Sequence, residues 1–205
     1  MTMDEALASL PIIAIVRGVE PDQAVSIGEA LFAQGVRAME VPLNSPKPLE
    51  SIRRLATRFG DQMLIGAGTV LSAEQVASVK AVGGQFIVSP NTDAAVIGAS
   101  LALGLDALPG FSTPTEAFAA IAAGARFLKL FPASSYGSAH VKSIRAVLPQ
   151  AVKVIAVGGI GPSDMAAWLE AGATGFGLGS ELYRPGLSPA EVGMRAAACV
   201  AALGR

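Results

Sequence analysis

The stretch TPTEAFAAIAAGARFLKLFP, residues 113–132, contains the local signals from which the fold can be predicted. Thr113 and Glu116 have capping-box spacing, and Pro114 occupies a favourable first helical position. Gly124 closes the alanine-rich segment, as a left-handed C-terminal cap does. The apolar run that follows, FLKLF, predicts a strand. The stretch is therefore a unit of helix, glycine and strand.

The same unit recurs along the chain. Ser72 with Gln75 and Ser188 with Glu191 repeat the capping-box spacing, and Pro189 repeats the proline. Glycines close further alanine-rich segments at Gly35, Gly83-Gly84, Gly104 and Gly172. Strands are predicted at eight runs that begin roughly every 20 to 26 residues: 12–17, 38–43, 64–69, 86–90, 106–110, 127–131, 153–157 and 175–179.

Apolar strands that alternate with helices predict an α/β protein with a parallel sheet covered by helices. Eight units favour a (β/α)₈ barrel (TIM barrel), and we expect residues 1–205 to form a single domain. The alternative, an open doubly wound sheet, places a glycine-rich phosphate turn after its first strand. Here Arg17-Gly18-Val19-Glu20-Pro21 follows that strand. The paired glycines come late, at Gly158-Gly159 and Gly177-Leu178-Gly179-Ser180, where barrels commonly bind phosphate.

Composition narrows the class of function. The chain has 205 residues, 52% hydrophobic and 15% charged, with a net charge of -1. It contains no basic block, so neither nucleic acid nor an anionic membrane surface is implied, and we expect small-molecule partners. Cys199 is the only cysteine and His140 the only histidine, which disfavours a disulfide, a metal site and serine-hydrolase chemistry. We expect a cytoplasmic protein without a signal peptide or membrane span.

Lys129 lies in the middle of an apolar strand. Side chains of a strand alternate between faces, so Phe127, Lys129 and Phe131 share one face. Such a lysine is either paired or snorkelling at a strand end, or it is a desolvated amine of the Schiff-base kind, because burial lowers a lysine pKa. The run alone leaves both alternatives open.

Other polar residues also end predicted strands. In the run AMEVP, alternation directs Glu40 toward the barrel interior, where it could neutralise Lys129 or act as an acid/base beside it. Arg17 is either a strand-end arginine in water or a planar fork that binds a carboxylate. Thr69 follows Gly66-Ala67-Gly68, whose glycines allow either a close approach to the backbone or tight packing against a helix.

Six short motifs, taken together, resemble one known family. The chain resembles the 2-keto-3-deoxy-6-phospho-sugar-acid aldolases, a class I aldolase family that includes phosphogluconate and phosphogalactonate enzymes. The resemblance extends from the first strand through Arg184. The motifs are Glu40-Val41, Gly66-Ala67-Gly68-Thr69-Val70, Ser89-Pro90, Pro109-Gly110-Phe111-Ser112-Thr113, Lys129-Leu130-Phe131-Pro132 and Gly158-Gly159-Ile160.

The resemblance implies roles for individual residues. Lys129 would be the Schiff-base lysine and Glu40 the general acid/base, while Thr69 and Arg17 would bind the keto-acid end. The resemblance further implies substrate contacts at Pro90, Phe131 and Val157, and phosphate contacts at Gly158, Gly159, Gly179 and Ser180. It implies no metal and no cofactor, and a homotrimer. The implied reaction is reversible cleavage of a keto-deoxy sugar-acid phosphate to pyruvate and glyceraldehyde 3-phosphate.

Two positions bear on the substrate. The gluconate branch commonly has Leu-Arg-Thr after the second strand and threonine before the double glycine, whereas this chain has Leu43-Asn44-Ser45 and Val157. With Arg17 on the first strand, these departures favour the phosphogalactonate branch. The alternatives are the phosphogluconate epimer as main substrate, a phosphate-binding isomerase or epimerase that uses Glu40 as base, and a non-catalytic sugar-phosphate sensor.

Overall fold

The computed structural model describes residues 1–204, so Arg205, the last residue of the predicted domain, lies outside the described residues. Within them the chain forms nine parallel strands in the order β5-β4-β3-β2-β1-β9-β8-β7-β6. The strands are β1 (Ile12–Ile15), β2 (Ala38–Pro42), β3 (Leu64–Gly68), β4 (Phe86–Val88), β5 (Asp106–Leu108), β6 (Gly110–Phe111), β7 (Phe127–Leu130), β8 (Lys153–Val157) and β9 (Gly175–Leu178).

The ninth strand arises because the predicted strand 106–110 is divided in two. β5 pairs with β4 and β6 pairs with β7, and Pro109 lies between them. Proline has no N–H to donate to a neighbouring strand, although the Pro109 carbonyl still accepts from Lys129 N at 2.9 Å. Because β5 and β6 are consecutive in the chain and stand at opposite ends of the strand order, the sheet curls into a nearly closed barrel. The barrel prediction is confirmed.

Helices surround the strands. The helices are α1 (Met3–Ser9), α2 (Pro21–Ala33), α3 (Pro48–Phe59), α4 (Ala73–Ala81), α5 (Ala94–Ala102), α6 (Pro114–Ala122), α7 (Ser138–Arg145), α8 (Met165–Glu170) and α9 (Pro189–Ala202). Six of the nine in residues 1–204 begin or end at a predicted cap or glycine: α2, α4, α5, α6, α8 and α9. Within residues 1–204, none of these helices combines the length and apolar character needed to span a membrane.

Two of the three predicted capping boxes are complete, those of Thr113 and Ser188. In the third, the Ser72 hydroxyl accepts from Gln75 N as predicted. The prediction that the Gln75 side chain accepts from Ser72 N is wrong, because it accepts from Leu71 N at 2.7 Å. The glycines predicted to end helices have positive φ at Gly35, Gly83, Gly104, Gly124 and Gly172, whereas Gly84 does not. Local chemistry therefore sets most of the helix boundaries.

The core has two layers, as expected for a barrel. Leu128 and Leu130 belong to the large cluster between the strands and the helices. Phe127 belongs to the smaller cluster inside the barrel, which also contains Ile13, Leu64, Phe86 and Ile155. The predicted separation of the two faces of β7 is confirmed.

Helix α1, which the sequence reasoning did not predict, closes the N-terminal end of the barrel. Thr2 and Glu5 form a capping box at its start. Met3 and Leu7 are buried in the interior cluster. Asp4 makes ion pairs with Arg126 at 3.0 Å and Lys153 at 2.6 Å. The interior is therefore open at the carboxyl ends of the strands, where the predicted site residues lie.

Candidate active site

A cavity of about 330 Å³ lies at the carboxyl ends of five neighbouring strands, β2, β1, β9, β8 and β7. It brings together nine of the eleven predicted site residues. They are Arg17, Glu40, Lys129, Phe131, Val157, Gly158, Gly159, Gly179 and Ser180. Residues far apart in sequence thus form one site because the parallel strands end at the same rim.

Thr69 and Pro90 do not line this cavity. They follow β3 and β4, on another part of the rim, and both are half-buried. Thr69 has φ +57, a left-handed conformation that is unfavourable for a β-branched residue. Such strain persists only where the surrounding structure imposes it, and it is frequent near functional sites.

Lys129 projects from β7 into the cavity and is only 7% exposed. Its Nζ lies 4.7 Å from the centroid of the Phe131 ring, while Phe127 is buried deeper on the same face. Burial lowers the pKa of Lys129 below its ordinary value, the Glu40 carboxylate opposes this, and the Arg17 guanidinium adds to it. The environment therefore favours the neutral, nucleophilic amine.

Glu40 faces the same cavity from β2 and is 2% exposed. Burial raises its pKa to about 7, with Lys129 and Arg17 acting in the opposite direction. Its Oε2 atom has no hydrogen-bond partner in the described part of the chain. The carboxyl group can therefore gain and lose a proton near neutral pH.

Glu40 and Lys129 do not form a direct ion pair. The ion pairs with N···O distances up to 4.0 Å in residues 1–204 are Arg54–Glu50, Arg58–Glu29, Arg126–Asp4 and Lys153–Asp4. The alternative of mutual neutralisation in a structural salt bridge is thus not what the geometry shows. The two groups face one cavity without contact, which leaves room for a ligand between them.

The glycines of β3 face the barrel interior and not a helix. A Cβ atom added to Gly66 would lie 2.6 Å from the Phe86 ring, and one added to Gly68 would lie 1.8 Å from Glu40 Oε2. Of the two alternatives for this motif, the close approach is therefore observed. At Gly68 the approaching group is the carboxyl group of Glu40.

Arg17 extends from the end of β1 and is tied to the loop after β2. Its Nη1 donates to Asn44 Oδ1 at 2.5 Å. Next to it, Gly18 N donates to Ser45 Oγ at 2.9 Å. Asn44 thus holds the guanidinium at the cavity wall, where it can meet a carboxylate, and Ser45 holds the adjoining backbone.

The glycines after β8 and β9 form the other end of the cavity. Gly158 and Gly159 have φ of +102 and +70, a left-handed conformation that glycine adopts readily. The N–H groups of Gly159 and Ser180 donate to no protein acceptor among residues 1–204. A turn follows Gly159, and α8 begins at Met165 with Asp164 as its N-cap. Free backbone donors are nevertheless available for an anion.

Sequence reasoning missed a group of cavity residues in the loop after β9. Glu181, Tyr183, Arg184 and Pro185 all line the cavity. Arg184 Nε donates to Ser180 O at 3.1 Å, so a positive charge adjoins the backbone donors. The signal available in the sequence was Arg184, a basic residue four positions after Ser180 at the end of the last glycine-rich strand.

The described residues contain no group of three or more potential metal ligands. His140 lies on α7, half-buried, with Nε2 2.8 Å from the Ser112 carbonyl oxygen.

The comparisons with known proteins agree with this geometry. The model of the KDPG and KHG aldolase family matches residues 3–197. The chain belongs to this family. It is therefore an aldolase, which is a lyase, and the resemblance seen in its motifs is confirmed.

Individual relatives cover almost the whole chain. The 2-dehydro-3-deoxy-6-phosphogalactonate aldolase of Escherichia coli (strain K12) is 47% identical over 193 residues, 94% of each chain. A solved structure described as native KDPGal superposes with a TM-score of 0.94 at 46% identity and 95% coverage of each chain. The KDPG aldolase of Legionella pneumophila, with pyruvate captured as a covalent carbinolamine, gives a TM-score of 0.86 at 29% identity and 98% coverage of each.

Proposed function

We propose that this chain is a class I aldolase that reversibly cleaves 2-dehydro-3-deoxy-6-phospho-D-galactonate to pyruvate and D-glyceraldehyde 3-phosphate. One observation carries the proposal: a buried lysine and a buried, unpaired carboxyl group face the same cavity. Burial lowers the pKa of Lys129, which favours its nucleophilic form, and raises the pKa of Glu40 to about 7, which suits an acid/base.

The first step uses the Lys129 amine. Neutral Nζ attacks the C2 ketone of the substrate, and loss of water gives a protonated imine, which draws electrons away from the C3–C4 bond. The carbinolamine that pyruvate forms in the Legionella pneumophila relative supports the same chemistry here.

Glu40 then acts on the bond that breaks. Its carboxylate takes the proton of the C4 hydroxyl as C3–C4 cleaves, and the electron pair enters the imine to give an enamine. The protonated carboxyl group can return the proton to C3, after which hydrolysis of the imine releases pyruvate. A pKa of about 7 suits both proton transfers.

The remaining site residues position the substrate. We assign the keto-acid carboxylate to Arg17, and the phosphate to the backbone donors around Gly158, Gly159, Gly179 and Ser180. Phe131 and Val157 supply apolar walls. For Thr69 and Pro90 the resemblance alone supports a substrate contact.

The galactonate epimer is proposed for three reasons. Val157 lacks the hydroxyl that the gluconate branch commonly presents at this position, and Asn44 holds Arg17 where that branch has an arginine of its own. The 47% identical Escherichia coli relative carries the phosphogalactonate name. We further propose a cytoplasmic homotrimer, as the resemblance implies.

The experiment is borohydride reduction in the presence of pyruvate, followed by peptide mass mapping. We expect a stable adduct on Lys129 and loss of cleavage in Lys129→Ala. Lys142→Ala, at an exposed lysine of α7, is the matched control and should retain both the adduct on Lys129 and the cleavage activity. Substantial cleavage by Lys129→Ala, or an active enzyme without the adduct, refutes the mechanism.

The substrate is tested by assaying the two C4 epimers side by side. We expect the larger kcat/KM for the phosphogalactonate epimer. A strong preference for the phosphogluconate epimer refutes the substrate assignment while leaving the imine chemistry intact.

A further inference from the structure

Gly68 occupies an inward-facing position at the end of β3. Leu64 belongs to the interior cluster, whereas Ile65 and Ala67 belong to the layer against the helices. Alternation therefore directs the side-chain position of residue 68 into the barrel. Gly68 also pairs in register with Pro42, two residues beyond Glu40 on the adjacent strand β2.

The space that a side chain at position 68 would need is filled by the Glu40 carboxyl group. A Cβ atom added to Gly68 would lie 1.8 Å from Oε2, 2.3 Å from Cδ and 2.4 Å from Oε1. These are the three nearest atoms, and all belong to Glu40. Gly68 is not among the residues with positive φ, so alanine is compatible with its backbone. The conflict is with one functional group and not with the fold.

A displaced carboxyl group has one direction in which to move. Beneath Glu40 the barrel interior leaves a space of only about 10 Å³, walled by Ile13, Val88 and Leu108 among others. The main cavity of about 330 Å³ lies on the other side, and Lys129 and Arg17 line it. Movement away from β3 therefore brings the carboxylate toward the Lys129 amine and the Arg17 guanidinium.

We propose that Gly68 is a positioning residue. Because it has no side chain, it leaves the space in which the Glu40 carboxyl group packs against β3, out of contact with Lys129. This role rests on the proposed function of Glu40 as the acid/base. With a side chain at position 68, the Glu40 carboxylate would pair with Lys129, which must stay neutral. It would also leave the position from which it reaches the substrate.

The test is Gly68→Ala, with Gly98→Ala as the matched control, because a Cβ at Gly98 on α5 meets no atom within 4 Å. In Gly68→Ala we expect kcat for cleavage to fall by about 100-fold or more, the scale of a lost acid/base contribution, with a much smaller change in KM. We also expect the acidic limb of the kcat profile to move to lower pH, because pairing with Lys129 lowers the pKa of Glu40. Gly98→Ala should match the parent enzyme. A Gly68→Ala enzyme with the parental kcat and pH profile overturns the proposal.

A second pair of variants separates positioning from folding. Glu40→Ala removes the carboxyl group, so adding Gly68→Ala to it should leave the residual rate unchanged. A further tenfold loss in the double variant overturns the proposal. If Gly68→Ala alone does not fold, a folded double variant supports competition for the same space, and an unfolded double variant refutes it.

The borohydride adduct distinguishes failure of the proposed function from failure of the proposed role of Gly68. If the parent enzyme forms no adduct with pyruvate, the proposed function fails whatever Gly68→Ala does. If the adduct forms and Gly68→Ala behaves like the parent, only the role of Gly68 is refuted.

Discussion

Glu40→Gln should change how the free energy of unfolding depends on pH. The substitution keeps the size of the side chain and removes its titration. Raising the pKa of Glu40 from 4.5 to about 7 costs the folded state about 3 kcal/mol once the carboxyl group is ionised. The favourable contribution of the protonated form is complete below pH 4.5 and is lost as the pH rises through 7.

Most of this contribution, about 2–3 kcal/mol, disappears between pH 5 and pH 8. We expect the parent enzyme to lose that much stability relative to Glu40→Gln across this range, which corresponds to roughly 5–10 °C in Tm for a chain of this size. Urea unfolding of both proteins, followed by circular dichroism at each pH, measures the difference. Glu170→Gln, at an exposed carboxylate of α8, controls for removal of a surface charge.

A difference between parent and Glu40→Gln that stays constant from pH 5 to pH 8 would refute the raised pKa. The activity should follow the opposite trend, because on the proposed mechanism the cleavage step needs the Glu40 carboxylate. We expect kcat/KM to rise as the pH approaches 7 while stability falls. If kcat/KM instead rises around pH 4.5, the ordinary glutamate pKa, the raised pKa of Glu40 is contradicted.

Three further substitutions test other parts of the structure. Val157→Thr adds a hydroxyl to the cavity wall and should shift the kcat/KM ratio toward the phosphogluconate epimer by about tenfold or more; an unchanged ratio argues against this position as a determinant. Arg17→Met should raise KM about 10- to 100-fold, the scale of a lost charge-assisted hydrogen bond, while pyruvate is still trapped on Lys129; an unchanged KM excludes the carboxylate contact. Leu7→Ala should lower the free energy of unfolding by about 2–5 kcal/mol in urea; a loss below about 1 kcal/mol would contradict its burial inside the barrel.

The placement of the two central groups could be predicted because it follows from a local property. Alternate side chains of a strand point to the same face. Phe127 and Lys129 therefore share a face, and Glu40 and Met39 point to opposite faces. No information beyond the strand assignment was needed. The barrel followed from the repetition of the same local unit.

Other features depended on contacts between distant residues. Strand 106–110 looked continuous, but Pro109 supplies only a carbonyl and divides it. Helix α1 has a capping box, yet nothing in its own sequence says that Met3 will enter the barrel. The motif around Gly68 indicated a close approach to the backbone, but the approaching residue, Glu40, lies on another strand. These contacts are determined by tertiary packing.

Helix α1 has a consequence for the order of events at the site. Because Met3 and Leu7 fill the lower end of the barrel, ligands and water share the opening above Lys129. On the proposed chemistry, the aldehyde product occupies that passage while pyruvate is still bound covalently to the lysine. The water that hydrolyses the imine enters through the same opening. The closed end of the barrel thus leaves one route for both products and for water, and on the proposed chemistry the aldehyde leaves by it first because pyruvate is still held covalently.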